Sequence, residues 1–318
     1  MMRFEKKVAI LGGALGALLL LWVAGAIFSP ERRAARSQSD SLIAGKAADA
    51  ASIELGAPRL RLVKESGAWF LEEGGAKLPA QASRVESFIK AVAEINRLKP
   101  VARSKDAWKN LELDEATAKP VLIKDGKGVA ICDFVMGGYA PAGGDVYVRA
   151  AGSDASFAVA GSFAQYVSAS RTTWLDLRVL GGSIPETDVE ALSLKASLAL
   201  DGADKPPVSL DYSLRRKAEG WEGIAGTIDP QAVSSLLRAV LAIEGVDIVA
   251  SPPASAFTPV KGRIEISLGN GVSRVLEVGS DAGDGRFHLR VAGGGYVYAV
   301  SAYSLRNAFK APAELLVK

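Results

Sequence analysis

The sequence predicts an α+β protein: an N-terminal transmembrane helix followed by two similar α+β repeats, each an antiparallel sheet with one long amphipathic helix and a short closing helix. Three observations carry this. Val8 to Phe28 is an apolar run without a charge. The segments "RVESFIKAVAEI" (84–95) and "AVSSLLRAVLAI" (232–243) show the same helical period. Both are flanked, in the same order, by alternating segments broken at glycine turns.

The first element is the apolar run, assigned with its short tail to residues 1–28. At about 1.5 Å per residue it spans roughly 30 Å, the thickness of a bilayer's hydrocarbon core. Trp22 sits where an interfacial anchor belongs, and Gly12 with Gly16 forms a small-residue pair that lets two such helices pack, so a homodimer through the anchor is expected. Ala24-Gly25-Ala26 resembles a signal-peptidase site, but the run is longer than a signal peptide requires. Basic residues flank both ends (Arg3, Lys6, Lys7 and Arg32, Arg33, Arg36), so charge alone does not orient the span. The short basic tail suggests a signal-anchor. The expectation is therefore a single-pass protein of the bacterial inner (cytoplasmic) membrane with the bulk of the chain extracytoplasmic. Residues 29–50, polar and rich in Ala and Ser, read as a juxtamembrane linker.

The two repeats are assigned to residues 51–180 and 181–318. In the first helix the apolar positions are Val85, Phe88, Ile89, Val92 and Ile95. In the second they are Val233, Leu236, Leu237, Val240 and Ile243, each 148 positions further on. The i, i+3, i+4, i+7 spacing places each set on one face. Before each helix come strand-like alternation, a glycine turn and a tryptophan, Trp69 or Trp221. Asp229-Pro230 is an N-cap followed by proline at the first helical position, and Ser83 with Glu86 is expected to form a capping box. After each helix, "KPVLIKDGKGVAICDFVMGG" is echoed by "GRIEISLGNGVSRVLEVGS", with hairpin turns at Asp125-Gly126 and Asn270-Gly271. "DVYVRAAGSDASFAVAGSF" is then echoed by "RFHLRVAGGGYVYAVSAYS", aligning Arg149 with Arg290. Short helices near 163–169 and 304–309 close the repeats.

Composition limits the chemistry. Lys+Arg number 38 and Asp+Glu 35; without the first thirty residues the counts are 35 and 34, a balance that argues against a phosphate-backbone (nucleic-acid) partner. One cysteine, Cys132, lies in the apolar run "VAICDFVM", and one histidine, His288, in the alternation "RFHLRV"; both read as structural, and the usual zinc sites lack ligands. Glu72-Glu73 reads as a solvated strand end. Asp281 and Asp284 in "GSDAGDGRF" read as a hairpin connection, because a calcium loop's further carboxylates are missing. No catalytic residue, cofactor site or metal site is predicted. The densest polar-aromatic cluster is Arg171, Trp174, Asp176 and Arg178, in the connection between repeats. Tryptophan there is expected to bury the connection, and the cluster is the candidate contact site for a partner, since Arg and Trp are enriched at interface hot spots.

"LRLVKESGAWFLEE…LPAQASRVESFIKAVAEI", then "GGYAPAGGDVYVR", then "WLDLRVL" leading into "VEALSL" resembles domain of unknown function 4340. The family's usual acidic residue at the first helix start is Gln81 here. The resemblance implies one N-terminal anchor, an exported duplicated α+β region, and association with ABC-type export components of the gliding-motility kind; it brings no catalytic residues. The expected function is a non-enzymatic accessory or scaffold protein that binds another protein. The alternatives are an exported small-ligand or glycan binder using the cleft between repeats, and a hydrolase with an unrecognised site.

Overall fold

A computed structural model describes residues 42–43, 46–56, 58–95, 98–200 and 206–317. Within them the expected α+β class is corrected to a mostly β one: strands make up 43% and helices 21%, and the strands form two large antiparallel sheets. The longest described helices have only 12 residues. An amphipathic helix of three turns is conspicuous in a sequence, but the many short antiparallel strands occupy more of the chain. The single N-terminal span is also corrected, and with it the inner-membrane placement and the membrane as partner. Among the described residues no helix is long and apolar enough to cross a membrane. The expected anchor residues Gly12, Gly16 and Trp22 lie outside the described residues.

The strands are β1 (Ala50–Leu55), β2 (Leu60–Glu65), β3 (Ala68–Glu73), β4 (Ala76–Pro79), β5 (Lys99–Ala102), β6 (Lys119–Asp125), β7 (Ala130–Tyr139), β8 (Asp145–Ala150) and β9 (Ser156–Ala160). They continue as β10 (Val189–Leu198), β11 (Val208–Lys217), β12 (Gly220–Glu222), β13 (Asp247–Ile248), β14 (Gly262–Leu268), β15 (Ser273–Gly283), β16 (Arg286–Val291) and β17 (Val297–Ser301). The first sheet has the order β4-β3-β2-β1-β6-β7-β8-β9-β5, and the second β12-β11-β10-β14-β15-β16-β17-β13. With β1 matched to β10 and so on along the chain, the two orders are the same, except that β4 has no counterpart. The internal repetition is therefore written in the topology.

The helices are α1 (Ala82–Ala93), α2 (Ala164–Val167), α3 (Pro230–Leu241) and α4 (Ala302–Ala308). Helix α1 buries Val85, Phe88, Ile89 and Val92; α3 buries Val233, Leu236, Leu237 and Val240. Each such side chain contributes about 1.5–3 kcal/mol by leaving water, so these stripes, more than helix propensity, hold the segments helical. The Asp229 carboxylate accepts from the Gln231 N–H at 2.9 Å and Pro230 follows it, as the sequence predicts. Helix α1 begins at Ala82, so Gln81, not Ser83, stands at its N-cap position.

By contact density the described chain divides into two compact units. One holds the residues up to Leu60 with Glu86–Ser168; the other holds Arg61–Val85 with the residues from Ala169 on. In the first, β6 and β7 pair through Val121 opposite Phe134 and Ile123 opposite Cys132, and the rings of Phe134 and Phe163 meet edge-on at 5.5 Å. Cys132 is buried there, as its apolar setting predicts. In the second, β10 alternates strictly: Leu192, Leu194, Ala196 and Leu198 are buried while the residues between them face out. That is the pattern of an antiparallel sheet with one solvated face.

Candidate functional site

The Arg171–Arg178 segment lies wholly in the second unit. A 3₁₀ turn, Arg171–Trp174, leads into an extended stretch. The Trp174 carbonyl accepts the Gln81 N–H at 2.8 Å, Leu175 bridges Ala80, and the Asp176 N–H donates to the Pro79 carbonyl at 2.9 Å. Further on, Val179 donates to Ile243 and Gly245 to Leu177. The connection is thus clamped to the residues just before α1 and just after α3.

The end of the chain repeats the first half of this clamp. A 3₁₀ turn, Pro312–Leu315, is followed by Leu316, which bridges Ile228. Asp229 donates to the Leu315 carbonyl, and Val317 to that of Thr227. Ala80 and Ile228 stand 148 positions apart, the same offset as the helices. Each repeat therefore ends by pairing with the residues that open its own long helix. Trp174, with no exposed surface, fills the place that Leu315 fills at 1%.

The four predicted residues separate into three settings. Trp174 is interior. Arg171 is a three-way staple: its Nε donates to Glu73 at 2.7 Å, one terminal nitrogen to Asp247, and the other to the Ile248 carbonyl at 2.9 Å. The adjoining carboxylates favour the charged guanidinium and raise its pKa, although desolvation opposes them as the largest single effect. Asp176 and Arg178 come together with each other, Nε and one terminal nitrogen reaching the carboxylate at 2.8 and 2.6 Å. Arg178 alone of the four is fully at the surface.

Two open clefts meet at Arg178. One, about 370 Å³, lies between Leu180–Ile184 and the C-terminal end of α3, with Arg238 and Glu244 on its wall. The other, about 320 Å³, is lined by Pro79, Asp176, Gly294, Gly295, Tyr296 and Tyr298 among others. Arg178, Leu180 and Gly181 belong to both, so they form the ridge between them. The backbone turns there because Gly181 takes a φ of +79°; a Cβ on Gly181, Gly182 or Gly295 would meet nothing within 4 Å. Arg238 is already paired with Glu186 at 3.2 Å.

Sequence reasoning missed the partners of Arg171. Glu73, expected to be merely solvated, is ion-paired, and Glu72 pairs with Arg61 at 3.0 Å. It also missed the setting of His288. Phe287 and Leu289 point to one face of β16 and His288 to the other, yet His288 is only 5% exposed. Asp284 and Asp281 hold the β15–β16 turn, Asp284 pairing with Arg286 at 2.5 Å and Asp281 accepting from Gly283 at 2.6 Å. Among the described residues no group of three His, Cys, Asp or Glu side chains is placed to hold a metal.

The family model described as domain of unknown function (DUF4340) matches residues 69–261, which include α1, the Arg171–Arg178 segment and α3. No curated protein and no solved structure matches the chain.

Proposed function

This chain belongs to the family described as domain of unknown function (DUF4340), and from that premise we propose that it is a non-enzymatic accessory or scaffold protein that binds another protein. An ABC-type transport component is the partner class that the resemblance implies. The observation that supports the reading is the ridge of Arg178, Leu180 and Gly181 between two open clefts, with Tyr296 beside it. Arginine and tyrosine are the side chains that dominate interface hot spots. Both arginines of the clefts are already paired, Arg178 with Asp176 and Arg238 with Glu186. A partner then gains mainly by covering Leu180 and the tyrosines and by bonding the open glycine backbone, not by supplying an anion.

Site-specific photo-crosslinking tests this. A photoreactive side chain at Leu180 and, separately, at Tyr296 should yield the same discrete adduct in cells, containing an ABC-type transport component. The same group at Lys195, an exposed residue of β10, should yield none. Arg178→Glu should remove the adduct without altering the circular dichroism spectrum. An adduct that survives Arg178→Glu, or none at either position, rules the site out.

A further inference from the structure

We propose that a third cleft, beside Arg171 and His288, is a binding site for a neutral polyhydroxylated ligand, a sugar or the end of a glycan. The cleft measures about 430 Å³ and is lined by the polar residues Glu73, Arg171, Asp247, Ser251, Arg286 and His288 with aliphatic residues between them; all lie in the second compact unit. Its size is in the range of small-molecule pockets, about 300–1,000 Å³. It shares no residue with the Arg178 ridge and does not rest on the protein-partner reading.

His288 points to this site. Its Nδ1 lies 3.1 Å from the Ser280 carbonyl oxygen and 3.2 Å from the Ser280 hydroxyl. A carbonyl only accepts, so Nδ1 carries the hydrogen, and Nε2 of the neutral ring is left as an acceptor. Nε2 has no partner among the described residues, although the side chain is buried. Nε2 is not sealed off from solvent and His288 lines the cleft, so a ligand's donor can reach this acceptor.

The other free polar atoms specify the ligand. Arg171 occupies one oxygen each of Glu73 and Asp247, so among the described residues Glu73 Oε1 and Asp247 Oδ2 are free to accept. Arg286 uses Nε on the Gly283 carbonyl and one terminal nitrogen on Asp284, so the other terminal nitrogen remains as a donor. Among the described residues the Ser251 hydroxyl has no partner, and it serves in either sense. Two arginines face two carboxylates in the lining, and Asp284 also pairs with Arg286, so an anion meets no unbalanced positive charge. An ammonium group satisfies the acceptors but leaves the Arg286 donor unused. Ile248, Val249 and three alanines cover part of the walls but no aromatic ring does, so specific recognition falls to the polar groups. Hydroxyl groups, each a donor and an acceptor, match the whole set.

The test is saturation-transfer NMR on the full chain. The probes are glucose, galactose, N-acetylglucosamine and their β-linked disaccharides, with putrescine and inorganic phosphate as competing chemistries. The expected result is transfer to at least one neutral sugar, weakened tenfold or more by Ser251→Ala and by Arg286→Ala and unchanged by Arg178→Glu. Equal transfer to a monosaccharide and its disaccharide indicates a free sugar; transfer to the disaccharide alone indicates a glycan end. His288→Leu should abolish it. Because His288 is buried, the two exposed-cleft variants carry the test if that protein fails to fold. The proposal is overturned if no sugar of the set receives transfer, if the Ser251 and Arg286 variants bind as the parent does, or if putrescine or phosphate binds in place of the sugars.

Discussion

Trp174 exposes no surface, and truncating it leaves a cavity the size of an indole under the clamp that closes the first repeat. Trp174→Ala should cost about 3–5 kcal/mol in urea denaturation. Arg178→Ala, which removes an exposed pair with a residue two positions away, should stay within about 1 kcal/mol. Arg171→Ala should fall between them, at about 1–3 kcal/mol, because it leaves Glu73 and Asp247 facing each other without the cation. If Arg171→Ala and Arg178→Ala prove equal, the staple does not hold β3 to β13. Cys132 predicts a pH dependence. Burial pushes its thiol from the usual 9.0 up to about 12, so the folded thiol keeps its proton where the unfolded one loses it. The stability this contributes is full below pH 9 and is lost as pH rises to about 12, at about 1.4 kcal/mol per pH unit. Burial raises Tyr212 too, so some alkaline loss should persist. Urea midpoints at pH 7, 9 and 10.5 should fall less steeply above 9 in Cys132→Ala than in the parent; parallel curves would refute the assignment. The burial of Cys132 was legible in "VAICDFVM" because neighbours in sequence set it. The staple was not, because Arg171 meets carboxylates 98 and 76 positions away.

At the scale of elements, β7 and β15 each bend at a glycine over which a loop passes. A Cβ on Gly137 would lie 2.2 Å from the Leu111 carbonyl oxygen, and one on Gly279 2.1 Å from that of Ala256. The pairing register shifts at both places, between Met136 and Tyr139 and between Val278 and Asp281. Neither glycine has a positive φ, so the constraint is close approach of backbone, not conformation. Gly137→Ala and Gly279→Ala should each lower thermal stability by about 1–3 kcal/mol or more, since the obstacle is backbone and cannot swing aside. Gly295→Ala, with nothing within 4 Å, should be close to neutral. Calorimetry of the three variants decides it; equal melting of Gly279→Ala and Gly295→Ala would show that the loop yields. The hairpin turns were legible from Asp125-Gly126 and Asn270-Gly271, where the Asp125 and Asn270 side chains accept from the turn's own N–H groups. Nothing local in "FVMGGY" or "LEVGSD" announces the loop that crosses it.

For the whole molecule, the closing segments are the test of the duplication. Removing residues 312–318 takes away Leu315, which is 1% exposed, and the pairing of Leu316 with Ile228. The loss should exceed the about 1 kcal/mol typical of an N-cap removed from α3, and amide exchange at Ala232 to Ser235 should quicken before that of β14. A truncated chain that melts with the parent would mean the segment is an appendage. The sequence by itself determined the family, the two amphipathic helices, the hairpins and the 148-residue recurrence. These rest on side-chain period and turn chemistry, which neighbouring residues decide. Only the tertiary structure decided that strands outweigh helices, that Trp174 closes a repeat as Leu315 does, and that Glu73, Asp247 and His288 share a cleft. Those facts depend on which distant backbone segments pair, and pairing is set by the burial of whole sheets, which no local pattern records.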